Sequence, residues 1–164
     1  MRFRVGLGYD IHPFGEERPL VLGGVRIDDA ARLAGHSDGD AVAHAVADAV
    51  LGAAGLADLG TLFPASDEQW RDADSLQLLQ QVASRVAHDR WWVGNVDVVI
   101  AAEAPKLAPH VERMARNVSD ALKPAREPMG EAIVVSIKPK RGEGLGAVGR
   151  VEGIAVWAMV LLGR

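Results

Sequence analysis

The 164-residue chain has no cysteine, one tyrosine, three phenylalanines and four tryptophans. Without cysteine, disulfides, thiolate nucleophiles and thiolate zinc sites are excluded, so any metal must be held by His, Asp and Glu. Any nucleophile is a hydroxyl, a carboxylate or part of the substrate itself. Aromatics at 5% are too sparse to build base-stacking platforms. A net charge of −4 supplies no basic footprint, so no nucleic-acid partner is expected. No apolar window nears the roughly 20 residues of a membrane helix. The N-terminal segment MRFRVGLGYDIH lacks the apolar core of a signal peptide, so a cytoplasmic protein with no membrane partner is expected.

What is present is an ordinary globular composition, 49% apolar and 24% charged, of a length that suits one domain over 1–164. Phe3, Val5, Leu7, Tyr9 and Ile11 alternate with small or polar residues, which is the period of a strand. Leu20–Leu22 and Val25–Ile27 flank Gly23-Gly24 as a short hairpin. An alanine-rich helix is expected from Ser37, its N-cap, to about Gly55. The stretch 58–74 reads as a loop. Further helices are expected over about 74–88 and 108–122, with strands over 95–101, 132–137 and 151–162. The last strand carries Ile154, Val156, Trp157, Met159 and Leu161, apolar on both faces. Either a subunit interface covers its second face, or it is the centre of a sandwiched sheet. The order predicts an α+β, two-layer domain: a mixed sheet with helices packed on one face.

Three clusters carry chemistry. Asp10 and His12 are two apart on the first strand, so both side chains leave the same face, opposite Ile11. The pair is half of a metal site, or simply polar residues at a strand end. Within HSDGDAVAHAVAD, His44 and Asp48 stack at i,i+4 on a helix face otherwise made of Ala41 and Leu51. Adding His44 to Asp10 and His12 completes a set of two imidazoles and one carboxylate, which zinc accepts with a fourth position open. Asp48 is placed to orient a ligating imidazole through its other nitrogen. The third cluster, KPKRGEGLGAVGR over 138–150, holds Lys138, Lys140, Arg141 and Arg150 against the lone acid Glu143, with four glycines. It reads as a phosphate cradle or as a solvated loop; in the first case Glu143 can bind a hard cation between phosphates. Asp58 can cap, ligate or hydrogen-bond a hydroxyl.

GYDIHPF, GGVRI, the long block GHSDGDAVAHAVADAVLGAAGLADLGTLFP, APKLAPH and GRVEGIAV resemble, in order and with matching spacing, the 2-C-methyl-D-erythritol 2,4-cyclodiphosphate synthase family. The resemblance implies a CMP-releasing cyclase of the non-mevalonate isoprenoid pathway. It implies one Zn²⁺ per subunit on Asp10, His12 and His44, and a second divalent cation, Mg²⁺ or Mn²⁺, brought with substrate to Glu143. Asp48 is implied as a catalytic acid beside the zinc histidine. Asp10, His12, His36, Ser37, Asp58, Gly60 and Phe63 are implied contacts of the methylerythritol phosphate. Ala102, Pro105, Lys106 and Leu107 are implied contacts of the cytidine, and Arg150 is a basic residue near a threefold axis. The family is a homotrimer with inter-subunit active sites. Lys140-Arg141-Gly142 replace a threonine run that many members carry, so Lys140 and Arg141 are expected to grip phosphate in a different way. The same ligands also permit a metal-dependent phosphohydrolase, or a non-catalytic trimer that binds metal or isoprenoid diphosphate.

Overall fold

The structure, a computed structural model, describes every residue except 17–18, 36, 65, 71–72, 128–129 and 131. Along the chain run β1 (Phe3–Pro13), β2 (Leu20–Leu22), β3 (Val25–Ile27), α1 (Ala41–Ala54), α2 (Leu59–Leu62), α3 (Ser75–His88), β4 (Trp92–Ala101), α4 (Val111–Ala121), β5 (Val134–Lys140), the single turn α5 (Gly146–Gly149) and β6 (Gly153–Gly163). The four long strands lie in the order β1-β6-β4-β5. Only β4 and β5 pair in parallel; β6 is antiparallel to both its neighbours. The expected mixed sheet with a helical layer is present: α1 packs on β1 and β6, α4 on β5, and α3 behind α1. No helix among the described residues is long and apolar enough to cross a membrane.

The seating of α1 follows from small residues on both sides of one contact. A Cβ at Gly6 would stand 1.9 Å from the Ala49 carbonyl oxygen, and one at Gly8 1.9 Å from that of Ala45. No side chain fits there, so the glycine row of β1 presses directly onto the alanine row of α1. The opposite row, Phe3, Val5, Leu7, Tyr9 and Ile11, is left 47–64% exposed. In β6, Ile154, Val156, Ala158, Val160 and Leu162 face the helices and are buried, while Trp157 and Met159 are 40% and 51% exposed. Among the described residues no second layer sandwiches this sheet. Of the two covers considered for β6, the sandwich is therefore ruled out within one chain.

Two sequence expectations need correction. The N-cap of α1 is Asp40, not Ser37, and the helix begins at Ala41. Asp40 is fully buried, and its carboxylate accepts from Val42 and Ala43 N–H (both 3.1 Å) and from Gly23 and Gly24 N–H (2.8 and 2.6 Å). One carboxylate thus caps the helix and pins the β2–β3 hairpin to it, a task a serine hydroxyl cannot perform. Burial pushes its carboxyl up, and a nearby Asp38 charge adds to this, against the pull of the backbone bonds. The stretch after Asp58 is not all loop: Asp58 caps α2, and a 3₁₀ turn covers Glu68–Trp70. A four-residue helix is too short to leave a period in the sequence.

Candidate active site

Gly8 and Ala45 touch, and Asp10 and His44 follow from that contact. Asp10 and His12 lie on the same face of β1 as Gly6 and Gly8, since period two carries all four to the helix side. Their register partners on β6 are Val156 and Ile154. His44, beside Ala45 on α1, meets them there. Asp10 Oδ2 is 3.0 Å from His12 Nε2 and 3.1 Å from His44 Nδ1. One donor atom from each of the three lies within 4.8 Å of the other two, and among the described residues this is the group of His, Asp and Glu able to hold a metal. A tetrahedral ion with bonds of about 2.0 Å keeps its donor atoms about 3.3 Å apart, close to these separations. The donor chemistry also fits. His12 Nδ1 faces the Ala34 carbonyl at 2.6 Å, an acceptor only, so Nδ1 carries hydrogen and Nε2 is the atom turned to Asp10.

The three groups polarise one another. Burial raises the Asp10 carboxyl, but hydrogen bonds from His12 and His44, together with their charges, outweigh it and hold it at about 2. The Asp10 hydrogen bond raises His12 above its usual 6.5, against burial. In the metal-free chain the stabilisation from lowered Asp10 is present above pH 3.8 and is lost as pH falls toward 2. That from raised His12 is present below 6.5 and is lost as pH rises through its elevated value. The metal-free melting temperature of wild type minus that of Asp10→Asn is therefore expected to be largest between pH 3.8 and 6.5. A difference that is flat across that range, or grows above it, would show that the pair does not contribute.

Most of the other predicted residues line two cavities at one end of the sheet. A cavity of about 320 Å³ is lined by His12, Gly35, Ser37 and His44, with Leu59, Gly60, Phe63, Trp70 and Leu78 as its apolar wall. Ser37 is buried, and its Oγ is 3.1 Å from His44 Nε2. Asp58 is exposed at the start of α2, and its carboxyl is lowered by hydrogen bonds from the Thr61 side chain and from Thr61 N–H, the latter at 2.8 Å. His36 lies outside the described residues. A second cavity, of about 400 Å³, is lined by 102–108, holding Ala102, Pro105, Lys106 and Leu107, together with Pro139, Lys140 and Arg141. Ile11, Ala155, Ala101 and Lys140 form one row across the four strands. The cavities thus open at the same end of the sheet yet share no lining residue.

Two readings of the residues change. Asp48 does not orient His44: its Oδ1 accepts from Leu59 N–H at 2.7 Å, and burial raises its carboxyl. The second nitrogen of His44 instead meets Ser37 and Ser75, the latter at 2.9 Å. Ser75 gave no sequence signal, standing as an ordinary first residue of α3 behind its N-cap Asp74. The cationic cluster is also less free than its composition suggests. Lys138 pairs with Asp97 at 2.6 Å, Arg150 with Glu152 at 2.6 Å, and Arg141 with Glu103. Of the four cations Lys140 has no ion pair among the described residues. The neutralising Asp97 and Glu103 lie on or just after β4, some forty residues away, where a local charge count cannot see them. Glu143 is exposed, sits in the left-handed region at φ 52°, and is not part of the metal-capable group.

Comparison with known proteins gives these residues a context. A family model described as the YgbB family matches residues 3–163. A Thermosynechococcus vestitus protein named 2-C-methyl-D-erythritol 2,4-cyclodiphosphate synthase is 48% identical over 99% of this chain and 97% of its own length. The chain belongs to the YgbB family, that of the 2-C-methyl-D-erythritol 2,4-cyclodiphosphate synthases. Two solved synthase structures share the fold. One is the Plasmodium falciparum IspF in complex with CDP, 34% identical, TM-score 0.79, covering 98% of this chain and 95% of that one. The other is the bifunctional IspDF of Campylobacter jejuni, 38% identical, TM-score 0.88, covering 98% of this chain and 42% of that longer one. The family resemblance stated from the GYDIHPF and GHSDGD motifs therefore holds over nearly the whole chain.

Proposed function

We propose that this chain, as one domain over 1–164, converts 4-diphosphocytidyl-2-C-methyl-D-erythritol 2-phosphate to 2-C-methyl-D-erythritol 2,4-cyclodiphosphate and CMP in the cytoplasm. The observation that carries the reading is the Asp10–His12–His44 group at the edge of a cavity, in a chain of the synthase family. In the reaction an oxygen of the 2-phosphate bonds to the β-phosphorus, the bond from that phosphorus to the CMP oxygen breaks, and CMP departs with the electron pair. The substrate carries its own nucleophile, so no cysteine or activated serine is required. Such a transfer needs positioning and charge neutralisation above all.

Asp10, His12 and His44 hold a divalent metal, read here as zinc, and when bound it supplies Lewis-acid charge to a phosphate oxygen. Leu59, Phe63, Trp70 and Leu78 form the wall that keeps water from the reacting end. The exposed carboxylate of Asp58 can accept from a substrate hydroxyl. In the second cavity Lys106 and Lys140 meet the diphosphate, and the 102–107 segment takes the cytidine. Glu143 is the one acid in that loop able to share a second divalent cation with the phosphates.

The two cavities are separate within one chain, while one substrate must reach both. A homotrimer, with the second cavity supplied by the neighbouring subunit, resolves this and also covers Phe3, Val5, Leu7, Tyr9, Ile11, Trp157 and Met159. Arg150 then stands near the threefold axis.

Glu103 has a part in this site. It accepts from Arg141 Nε at 2.9 Å and from Gly142 N–H at 3.0 Å, tying the 141–145 loop to the 102–108 wall. Arg141 is thereby a strut of the cavity rather than a free phosphate grip. Glu103→Ala is expected to raise KM and the Kd for CDP by roughly 10-fold, with kcat little changed, because it loosens the walls without touching the metal end. Tighter CDP binding would instead mean that Glu103 had been withholding Arg141 from phosphate.

Phosphorus NMR tests the whole reading. Two coupled cyclic-diphosphate resonances, lost on chelation, are expected. Released inorganic phosphate carrying oxygen from labelled water would identify a hydrolase, and unchanged substrate with metal bound would identify a non-catalytic binder.

A further inference from the structure

A metal at Asp10 and His12 can use His44 only through a ring nitrogen that carries no proton. In a neutral imidazole the proton sits on either Nδ1 or Nε2, and the partner of the remote nitrogen decides which. Asp48 was the residue expected to decide it, and it is engaged elsewhere with Leu59 N–H. The remote nitrogen of His44 is Nε2, and Ser75 Oγ lies 2.9 Å from it.

The hydrogen inventory around Ser75 leaves one arrangement. Ser75 Oγ is 2.5 Å from Asp38 Oδ1, and a carboxylate only accepts, so the hydroxyl proton goes to Asp38. With that proton committed, Ser75 Oγ can only accept from His44, so Nε2 carries hydrogen. Nδ1 faces Asp10 Oδ2 at 3.1 Å and donates to it in the metal-free chain, so the proton that a metal displaces is the one on Nδ1. Ser75 is 1% exposed and does not line the cavity, whereas Ser37, the other neighbour of Nε2, does. Asp38 is itself held in place, accepting Asp40 N–H at 3.1 Å and Ser75 N–H at 3.2 Å. The Asp38 and Ser75 side chains therefore sit at a fixed joint between the start of α1 and the start of α3.

We propose that Ser75 and Asp38 are positioning residues that hold a proton on His44 Nε2, leaving Nδ1 as the nitrogen that gives up its proton to a metal. The trio has the composition of a nucleophile triad, but its serine is in the middle and buried, so it holds the imidazole and attacks nothing. The proposal rests on the reading that Asp10, His12 and His44 bind a divalent metal. It also explains why a polar side chain stands in the otherwise apolar layer between α1 and α3.

The test uses the full chain with zinc alone and is independent of turnover. Ring-nitrogen NMR of histidine-labelled, metal-free wild type should show His44 protonated at Nε2. Ser75→Ala should lose that fixed Nε2 proton and raise the zinc Kd, read by chelator competition, about 10- to 100-fold, the usual effect of removing a partner of a metal-bound histidine. Ser75→Thr, which keeps the hydroxyl, should restore zinc affinity. A wild-type ring protonated at Nδ1 with Nε2 bare overturns the proposal, even if Ser75→Ala fails to fold. So does a folded Ser75→Ala that binds zinc within about twofold of wild type. Wild type that retains no zinc overturns the metal reading itself, and this proposal with it.

Discussion

His44→Ala is expected to lose both metal retention and turnover. Four-ligand zinc sites contribute about 10–16 kcal/mol, so one ligand accounts for roughly 2.5–4 kcal/mol, about 10²- to 10³-fold in affinity. Asp10 and His12 alone cannot restore that, since each presents one donor atom to the shared position. The chain should still fold, because His44 is only partly buried and the contact that seats α1 is made by Ala45 and Ala49 against Gly8 and Gly6. Metal content after dialysis, beside phosphorus NMR of the reaction, checks the prediction. Asp48→Asn is the control: it keeps an acceptor for Leu59 N–H and should retain metal at wild-type level. Near-native turnover by metal-free His44→Ala would remove the metal from the mechanism.

Trp157→Glu is expected to hold the protein as a folded, metal-binding but inactive monomer of 17.4 kDa. Trp157 lies on the open face of β6, packed on Tyr9 with ring centroids 5.2 Å apart, among the exposed side chains of β1. In a trimer built on this face, three carboxylates would be brought together out of water, each costing several kcal/mol unless paired. In the single chain the same carboxylate stays solvated and folding is spared. Sedimentation should show wild type at about three times the monomer mass. Turnover should vanish in the variant while zinc binding persists, because the metal group comes from one chain and the second cavity from its neighbour. A wild type that sediments as a monomer, or a monomeric variant that turns over, would overturn the inter-subunit reading.

Local spacing determined much of this protein. Period two puts Asp10 and His12 on one face of β1, and an alanine-rich stretch carries His44 within a helix, so the metal group was legible from residues alone. The hairpin around Gly23-Gly24 and the helix after Asp74 follow from patterns a few residues long, and the mixed character of the sheet from the order of elements. The tertiary structure decided what such patterns do not hold. The apolar row of β1 is the open one, because glycines let α1 come closer than any side chain would. Asp40, not Ser37, caps α1, because only there can one carboxylate also reach Gly23 and Gly24. Asp97 and Glu103 neutralise Lys138 and Arg141 across strand registers. Ser75 reaches His44 from another helix. Periodicity reports how one segment meets a surface, whereas these partners are set by where separate segments are seated, and no spacing along the chain records that.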